Sequence, residues 1–153
     1  TAAELAQMTN MAQLAYSAGK YRDALGVCDR IYEADAFRTD NLLMLGAIHF
    51  QLRNFSESIF YNQQCVRVEP SFAESYSNLG NALKELGDLD GAVQFYLKAI
   101  KLKPRFPDGY NNLGLTYMQQ GKLAQALQTY QMALVLAPGL VDTHCNVGNL
   151  YKA

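Results

Sequence analysis

The side chains with the widest scope for chemistry are three cysteines and two histidines in a chain of 153 residues. Cys28, Cys65 and Cys145 are far apart and odd in number, whereas a disulfide framework needs pairs and a zinc site needs closely spaced ligands. His49 and His144 fall at positions of the repeat described below where apolar packing is usual. We therefore expect both histidines to be packing residues, and we expect no catalytic site, metal site or cofactor.

Charge and hydropathy narrow the classes of partner. The formal net charge is -1, and no basic stripe is present that could bind a phosphate backbone. No apolar run is long enough to span a bilayer, and no glycine-rich phosphate loop or nucleophile elbow occurs. We therefore expect neither nucleic acid nor membrane as a partner. The odd, widely spaced cysteines favour a reducing compartment, so we expect an intracellular chain of the cytoplasm, the nucleus or both.

Polar side chains recur along the chain in three registers with a spacing of 34 residues. One register carries Asn10, Met44, Asn78, Asn112 and Asn146. The register three residues further on carries Gln13, Ala47, Asn81, Leu115 and Asn149. The register four residues before the first carries Ala6, Asp40, Glu74, Asp108 and Asp142. A primary amide both donates and accepts hydrogen bonds, so such a series can bind the N–H and C=O groups of a peptide whatever its side chains.

The same spacing organises nearly the whole chain. Residues 75–80 align with residues 109–114, and the offset also carries Gly87 to Gly121 and Pro104 to Pro138. The resulting frames are 5–38, 39–72, 73–106 and 107–140, followed by a partial frame over 141–153. We expect a single domain over residues 1–153, because a period of this length is typical of stacked repeats.

Each frame is predicted to form two helices. In the third frame these are residues 73–86 and 89–101, with Gly87 in the left-handed conformation after the first helix and Pro104 ending the second. No alternating strand pattern is present, so the class is all-α. Small residues at frame positions 8, 20 and 27, Gly at 15 and Pro at 32 resemble the tetratricopeptide (TPR) pattern. Arg53 replaces the usual Gly, Asn62 the usual aromatic residue and Ala36 the usual Pro.

This resemblance implies a right-handed superhelical solenoid of four full repeats plus one extra helix. The helical period divides the first helix of the third repeat into an apolar and a polar face. The apolar face is Tyr76, Leu79, Gly80 and Leu83, and the polar face is Glu74, Asn78, Asn81 and Glu85. Helices packed about 8–10 Å apart would bring one amide to about every third residue of a peptide that advances ~3.3 Å per residue.

The polar registers are also compatible with roles inside the fold itself. The Asn residues can hydrogen bond between neighbouring helices, and the acids can stabilise the positive end of each helix dipole. For the acids we favour the dipole over recognition of a basic partner. Our candidate peptide-binding residues still include both sets: Asn10, Asn78, Asn81, Asn112, Asn146, Asn149, Asp40, Glu74, Asp108 and Asp142.

A closer resemblance is carried by residues 77–85, 101–110 and 147–153, which are similar to repeats of protein O-linked N-acetylglucosamine transferases. Residues 38–48 resemble the early repeats of the plant-type, SECRET AGENT-like members. The resemblance implies a substrate-recruiting TPR arm with an Asn ladder, which matches Asn10, Asn78, Asn112 and Asn146, and a separate catalytic domain that uses UDP-N-acetylglucosamine. A TPR adaptor of another assembly, or the TPR region of a SPINDLY-like O-fucosyltransferase, is the alternative.

The partial fifth frame supplies one helix without its hairpin partner. Its core face, with Val147 and Tyr151, is expected to lack a packing surface of its own. Exposed apolar patches of this kind mark association sites. We therefore expect self-association through the C-terminal half repeat. The partners that we expect in the groove are extended or disordered protein segments.

Overall fold

A computed structural model describes residues 1–152, and helices are its sole regular elements in that range. They are α1 (Ala2–Ser17), α2 (Tyr21–Ala34), α3 (Thr39–Gln51), α4 (Phe55–Val68), α5 (Ala73–Glu85), α6 (Leu89–Leu102), α7 (Pro107–Gln119), α8 (Leu123–Leu136) and α9 (Val141–Lys152). Helices α3, α5, α7 and α9 begin 34 residues apart, and so do α2, α4, α6 and α8. The all-α hairpin fold is confirmed, with the third-repeat helices within one residue of their predicted ends. Residue 153, the last of the predicted partial frame, lies outside the described range.

The turn inside each hairpin is set by one residue with a left-handed backbone. Gly19, Gly87 and Gly121 have φ of 75°, 88° and 78°, and Arg53 adopts φ 63° at the equivalent place. After α5, the N–H of Gly87 donates to Lys84 and the N–H of Asp88 donates to Leu83, which satisfies two carbonyl groups at the helix end. The predicted role of Gly87 is confirmed, and Arg53 takes that role without the freedom of glycine.

The chain divides within α5 into two compact units, one over Thr1–Asn78 and one from Leu79 onward. In the first unit α2 packs against α1 and α3, and α3 packs against α4. Its core is a buried cluster of small and aliphatic side chains contributed by α1, α2 and α3. The members are Ala12, Ala24, Cys28, Leu45 and Ile48.

The second unit repeats this arrangement with larger side chains. Helix α7 packs against α6 and α8, and α9 packs against α8 and α7. Its buried cluster contains Ala92, Val93, Tyr96 and Leu113, with Leu83 packed at its edge. Apolar residues at helical spacing therefore form the core in each unit, as the sequence pattern predicts.

Close crossing of the two helices in a hairpin depends on a small residue opposite a larger one. A Cβ atom added at Gly80 would lie 2.7 Å from Cε1 of Tyr96, and one added at Gly114 would lie 2.6 Å from Cδ1 of Tyr130. In the second repeat the pair is Gly46 and Asn62, with 2.8 Å to Cγ of the amide. In the first repeat, Ala12 and Cys28 occupy these positions and are both buried.

Candidate functional site

The two faces predicted for α5 differ in burial as expected. Tyr76, Leu79 and Gly80 are buried, and Leu83 is half-buried against the second core. On the polar face Asn78 and Asn81 are half-buried, as is Glu74, while Glu85 is exposed. The polar registers thus follow a face that other molecules can reach.

In the first unit, six residues of the polar registers line one hollow of about 420 Å³. They come from α1, α3 and α5: Gln13, Asp40, Met44, Ala47, Glu74 and Asn78. Asn10 lies on α1 and is exposed. Helical periodicity alone therefore selects residues that three separate helices bring to one place.

Three further residues line this hollow that the polar registers do not contain. Tyr16, Leu43 and Phe72 are half-buried and add apolar surface to it. Tyr16 follows Gln13 by three residues and Leu43 follows Asp40 by three, so both share a helix face with a predicted residue. A search that includes the residue three positions after each register residue finds Tyr16 and Leu43. Phe72 escapes such a search because it lies in the connection before α5.

In the second unit two candidate amides are held by other side chains. The hydroxyl of Tyr96 donates to Oδ1 of Asn81. Nδ2 of Asn146 donates to Oδ1 of Asn111 at 3.2 Å, and the Thr143 hydroxyl donates to the same oxygen at 2.9 Å. Hydrogen bonding between neighbouring helices, which the sequence pattern allows, therefore does occur at Asn146.

The remaining amides are open to solvent to different degrees. Asn112 is half-buried and Asn149 is exposed. A bond such as that of Asn146 uses one N–H of an amide that has two donors and two lone pairs, so it does not exhaust the group. The part that these amides play in binding peptides stays a prediction.

The four acidic candidates lie in the first turns of their helices. Asp40, Glu74, Asp108 and Asp142 stand at the starts of α3, α5, α7 and α9, where a carboxylate favours the positive helix end. Asp40 also accepts a hydrogen bond from Nε of Arg38 at 2.8 Å. Stabilisation of the helix dipole is consistent with this placement.

The two histidines differ from one another. His49 is buried as predicted and stacks on Tyr61 with ring centroids 5.4 Å apart. Burial lowers the pKa of His49, opposed by the charges of Glu57 and Asp29. For His144 the prediction of a packing role was wrong: its side chain is exposed, with Nε2 2.7 Å from the carbonyl oxygen of Pro138.

Two of the three cysteines are shielded from solvent. Cys28 and Cys65 are buried, and Cys145 is exposed. Burial, with smaller effects of Asp29 and Asp40, raises the pKa of Cys28 to about 12, and burial also raises the pKa of Cys65. Such thiols stay protonated near neutral pH and are poor nucleophiles.

Within residues 1–152, no group of three or more His, Cys, Asp or Glu side chains is arranged to hold a metal ion. Within the same range, no helix has the length and apolar character that a bilayer crossing needs.

Four family models for the tetratricopeptide or TPR repeat match the chain, over residues 9–64, 61–94, 80–121 and 107–140. The chain belongs to the tetratricopeptide repeat family. The last matched segment, 107–140, coincides with the fourth predicted frame. TPR hairpins are protein-interaction scaffolds, and this TPR region is a non-catalytic repeat domain.

Two curated relatives of this TPR chain are larger enzymes. It is 46% identical over 87 residues to the probable UDP-N-acetylglucosamine--peptide N-acetylglucosaminyltransferase SEC of Arabidopsis thaliana, which is 57% of this chain and 9% of that protein. It is 38% identical over 88 residues to the corresponding transferase of Caenorhabditis elegans, covering 58% of this chain and 8% of that protein. The chain therefore matches less than a tenth of these relatives, within their repeat regions.

Solved structures share the TPR fold at much lower identity. The crystal structure of the MamA protein superposes with a TM-score of 0.83 at 22% identity, over 99% of this chain and 83% of that one. At this identity the likeness shows the fold alone.

Two apolar residues of α9 are exposed, of which Tyr151 belongs to the core face predicted to lack a packing surface. Tyr151 is 71% exposed, and so is Val141, whereas Val147 is half-buried. Leu150 is buried and fixes α9 to the second unit. Self-association through this helix stays a prediction.

Proposed function

We propose that this TPR chain is part of the substrate-recruiting arm of a nucleocytoplasmic protein O-linked N-acetylglucosamine transferase, and that it binds extended peptide segments. The observation that carries the proposal is the 46% identity over 87 residues to the Arabidopsis transferase. The corresponding transferase of Caenorhabditis elegans, at 38% identity over 88 residues, supports the same assignment.

The chemistry of the polar face supports peptide binding within each unit. Its amides and acids are exposed or half-buried, whereas the opposite face is buried or half-buried in α3, α5 and α7. An extended peptide carries unpaired N–H and C=O groups on its backbone, and one Asn side chain can satisfy one of each. Binding of this kind depends little on the peptide's side chains and suits an enzyme that modifies many proteins.

Individual amides have different contributions in this proposal. Asn81 uses its oxygen as an acceptor for the Tyr96 hydroxyl, so its NH₂ group is the part that a peptide carbonyl would meet. Asn146 donates one N–H to Asn111, so its second N–H and its oxygen are the groups that a peptide would meet. Asn78 and Asn112 complete the series from α5 and α7.

Peptide binding is tested by removing three amides together. The variant Asn78→Ala, Asn112→Ala, Asn146→Ala should bind unfolded protein segments at least tenfold more weakly than the parent chain, ~1.4 kcal/mol in binding free energy. A matched control changes three exposed amides on α4, α6 and α8: Gln63→Ala, Gln94→Ala and Gln131→Ala. Unchanged binding by the first variant, with its helical circular dichroism intact, would contradict the proposal.

Membership in a glycosyltransferase is tested with the full-length product of the gene. We expect a glycosyltransferase domain in that product and transfer of radiolabelled N-acetylglucosamine from its UDP donor to an unfolded acceptor protein. Deletion of the segment corresponding to residues 1–153 should reduce transfer to proteins more than donor hydrolysis. Transfer of fucose instead, or a gene product without a transferase domain, would overturn this part of the proposal.

A further inference from the structure

The hollow in the first unit has a wall unlike the rest of the polar face. Leu43 and Met44 of α3 form this wall together with Phe72, and all three are half-buried. The 34-residue register places Asn at positions 10, 78, 112 and 146, so Met44 interrupts it. Replacement of an amide by a thioether removes a group that can hydrogen bond to a peptide backbone and leaves a flexible apolar surface.

The second unit carries polar residues where α3 contributes to this wall. A shift of two repeats, 68 residues, takes Leu43 to Asn111 and Met44 to Asn112, whereas Phe72 becomes Leu140. Two apolar side chains of the first unit thus correspond to two amides. The α3 part of the apolar wall is therefore a particular property of the first unit and not of the repeat.

The rim of the hollow is acidic. Asp40 and Glu74 both line it, no Lys or Arg is among its lining residues, and half of the Asp40 side chain is exposed. Arg38 hydrogen bonds to Asp40, but exposed ion pairs of this kind are weak, so a cation on a ligand can compete with it. An apolar wall beside the Asp40 carboxylate is complementary to an apolar group that carries a neighbouring positive charge.

We propose, building on the peptide-binding function above, that this hollow is an anchor subsite for one large apolar side chain. The occupant would be Leu, Ile, Met or Phe next to a Lys or Arg in an extended peptide segment. A volume of about 420 Å³ lies at the lower end of ligand pockets, which span roughly 300–1,000 Å³. The amides elsewhere would grip the backbone, and this subsite would fix the register of the peptide.

The peptide preference is measured by fluorescence anisotropy with labelled, Ser- and Pro-based peptides. One has Leu-Lys at its centre, and two others have Ala-Lys or Leu-Glu there. We expect the Leu-Lys peptide to bind about tenfold more tightly than either, which corresponds to ~1.4 kcal/mol. Equal affinity for all three peptides, or no binding of the Leu-Lys peptide, would overturn the subsite.

Variants assign the preference to the hollow. Met44→Asn should abolish the advantage of Leu over Ala, whereas Met44→Leu should keep it. The matched control is Met132→Asn, the same exchange at an exposed position of α8 in the other unit. Asp40→Asn should abolish the advantage of Lys over Glu and leave that of Leu. Its control is Asp23→Asn, the same exchange at an exposed acid in the first turn of α2. A larger effect of Met132→Asn than of Met44→Asn would refute the assignment.

The subsite and the proposed function can fail separately. If the triple Asn variant loses binding while Met44→Asn keeps the full Leu preference, the subsite is wrong and the peptide-binding function stands. If Met44→Asn removes the preference while the triple Asn variant binds normally, the subsite stands without the amide series. Met44→Leu controls for misfolding, because it retains the size and apolar character of the side chain.

Discussion

The hydroxyl of Tyr96, a residue buried at the centre of the second unit, donates a hydrogen bond to the side-chain oxygen of Asn81 on the polar face. The ring of the same tyrosine fills the space left by Gly80. One side chain thus packs the hairpin and orients an amide that faces outward. Its equivalent in the next repeat, Tyr130, is also buried, yet its hydroxyl has no hydrogen-bond partner among residues 1–152.

Tyr96→Phe and Tyr130→Phe should therefore differ in their effect on the free energy of unfolding. The first removes a hydrogen bond and should lower the free energy of unfolding by ~0.5–1.5 kcal/mol. The second removes a buried hydroxyl without a partner, so unfolding free energy should stay unchanged or rise by up to ~1 kcal/mol. Urea denaturation measures both. Equal losses in the two variants would show that the Asn81 contact does not stabilise the fold.

Gly114→Ala and Gly148→Ala compare the same repeat position in different surroundings. At Gly114 the new methyl group would lie 2.6 Å from the buried ring of Tyr130, so we expect a loss of roughly 1–3 kcal/mol. At Gly148, inside α9, nothing lies within 4 Å, and the better helix propensity of Ala should add ~0.5–1 kcal/mol. Thermal unfolding distinguishes the two, and a stabilised Gly114→Ala would contradict the close helix crossing.

Arg53→Gly should stabilise the first unit. A left-handed backbone costs a non-glycine residue ~1–2 kcal/mol, and glycine avoids that cost at φ 63°. The gain is reduced because the Arg53 guanidinium lies 5.1 Å from the ring centre of Phe55, a contact worth ~0.5–1 kcal/mol at the surface. Arg53→Ala, which loses the contact but keeps the backbone strain, should be less stable than the parent. A Gly variant no more stable than the Ala variant would exclude strain at this turn.

His49 should make stability depend on pH in the weakly acidic range. Its pKa in the folded chain is lowered, mainly by burial, from the ordinary value of 6.5. Between the lowered and the ordinary pKa the unfolded chain binds a proton that the folded chain does not, so stability falls as the pH drops through this window. His49→Phe, which keeps a ring beside Tyr61, should flatten the dependence measured by urea denaturation.

A His49→Phe variant whose stability depends on pH as steeply as that of the parent chain would show that His49 is not the titrating group.

Helix positions follow readily from the sequence because the signals are local. Gly87 and Pro104 mark helix ends through the backbone angles of glycine and the missing N–H of proline, and the 34-residue period copies those marks along the chain. Even Arg53, against its residue type, takes the conformation of the register to which it belongs. The repeat therefore decides backbone conformation where the individual residue does not favour it.

Contacts across helices are less accessible to sequence reasoning. The bond from Tyr96 to Asn81 depends on the angle at which α5 and α6 cross, and no local pattern encodes it. The hollow bounded by Leu43 and Phe72 combines α1, α3, α5 and a connection, so a single-helix register finds only part of it. The repeat position of His144 predicts packing, but that position is exposed in α9.

The pairing of a small with a larger residue inside each hairpin limits which genetic recombinations of the repeats preserve the packing. Gly80 with Tyr96, Gly114 with Tyr130 and Ala12 with Cys28 are complementary inside their own hairpins. A genetic crossover between hairpins transfers a complementary pair intact. A crossover at the turn inside a hairpin would join the first helix of one repeat to the second helix of another. The methyl group of a residue such as Ala12 would then collide with a ring such as that of Tyr96. Duplications and losses in this gene lineage should therefore respect the whole hairpin as the unit of exchange.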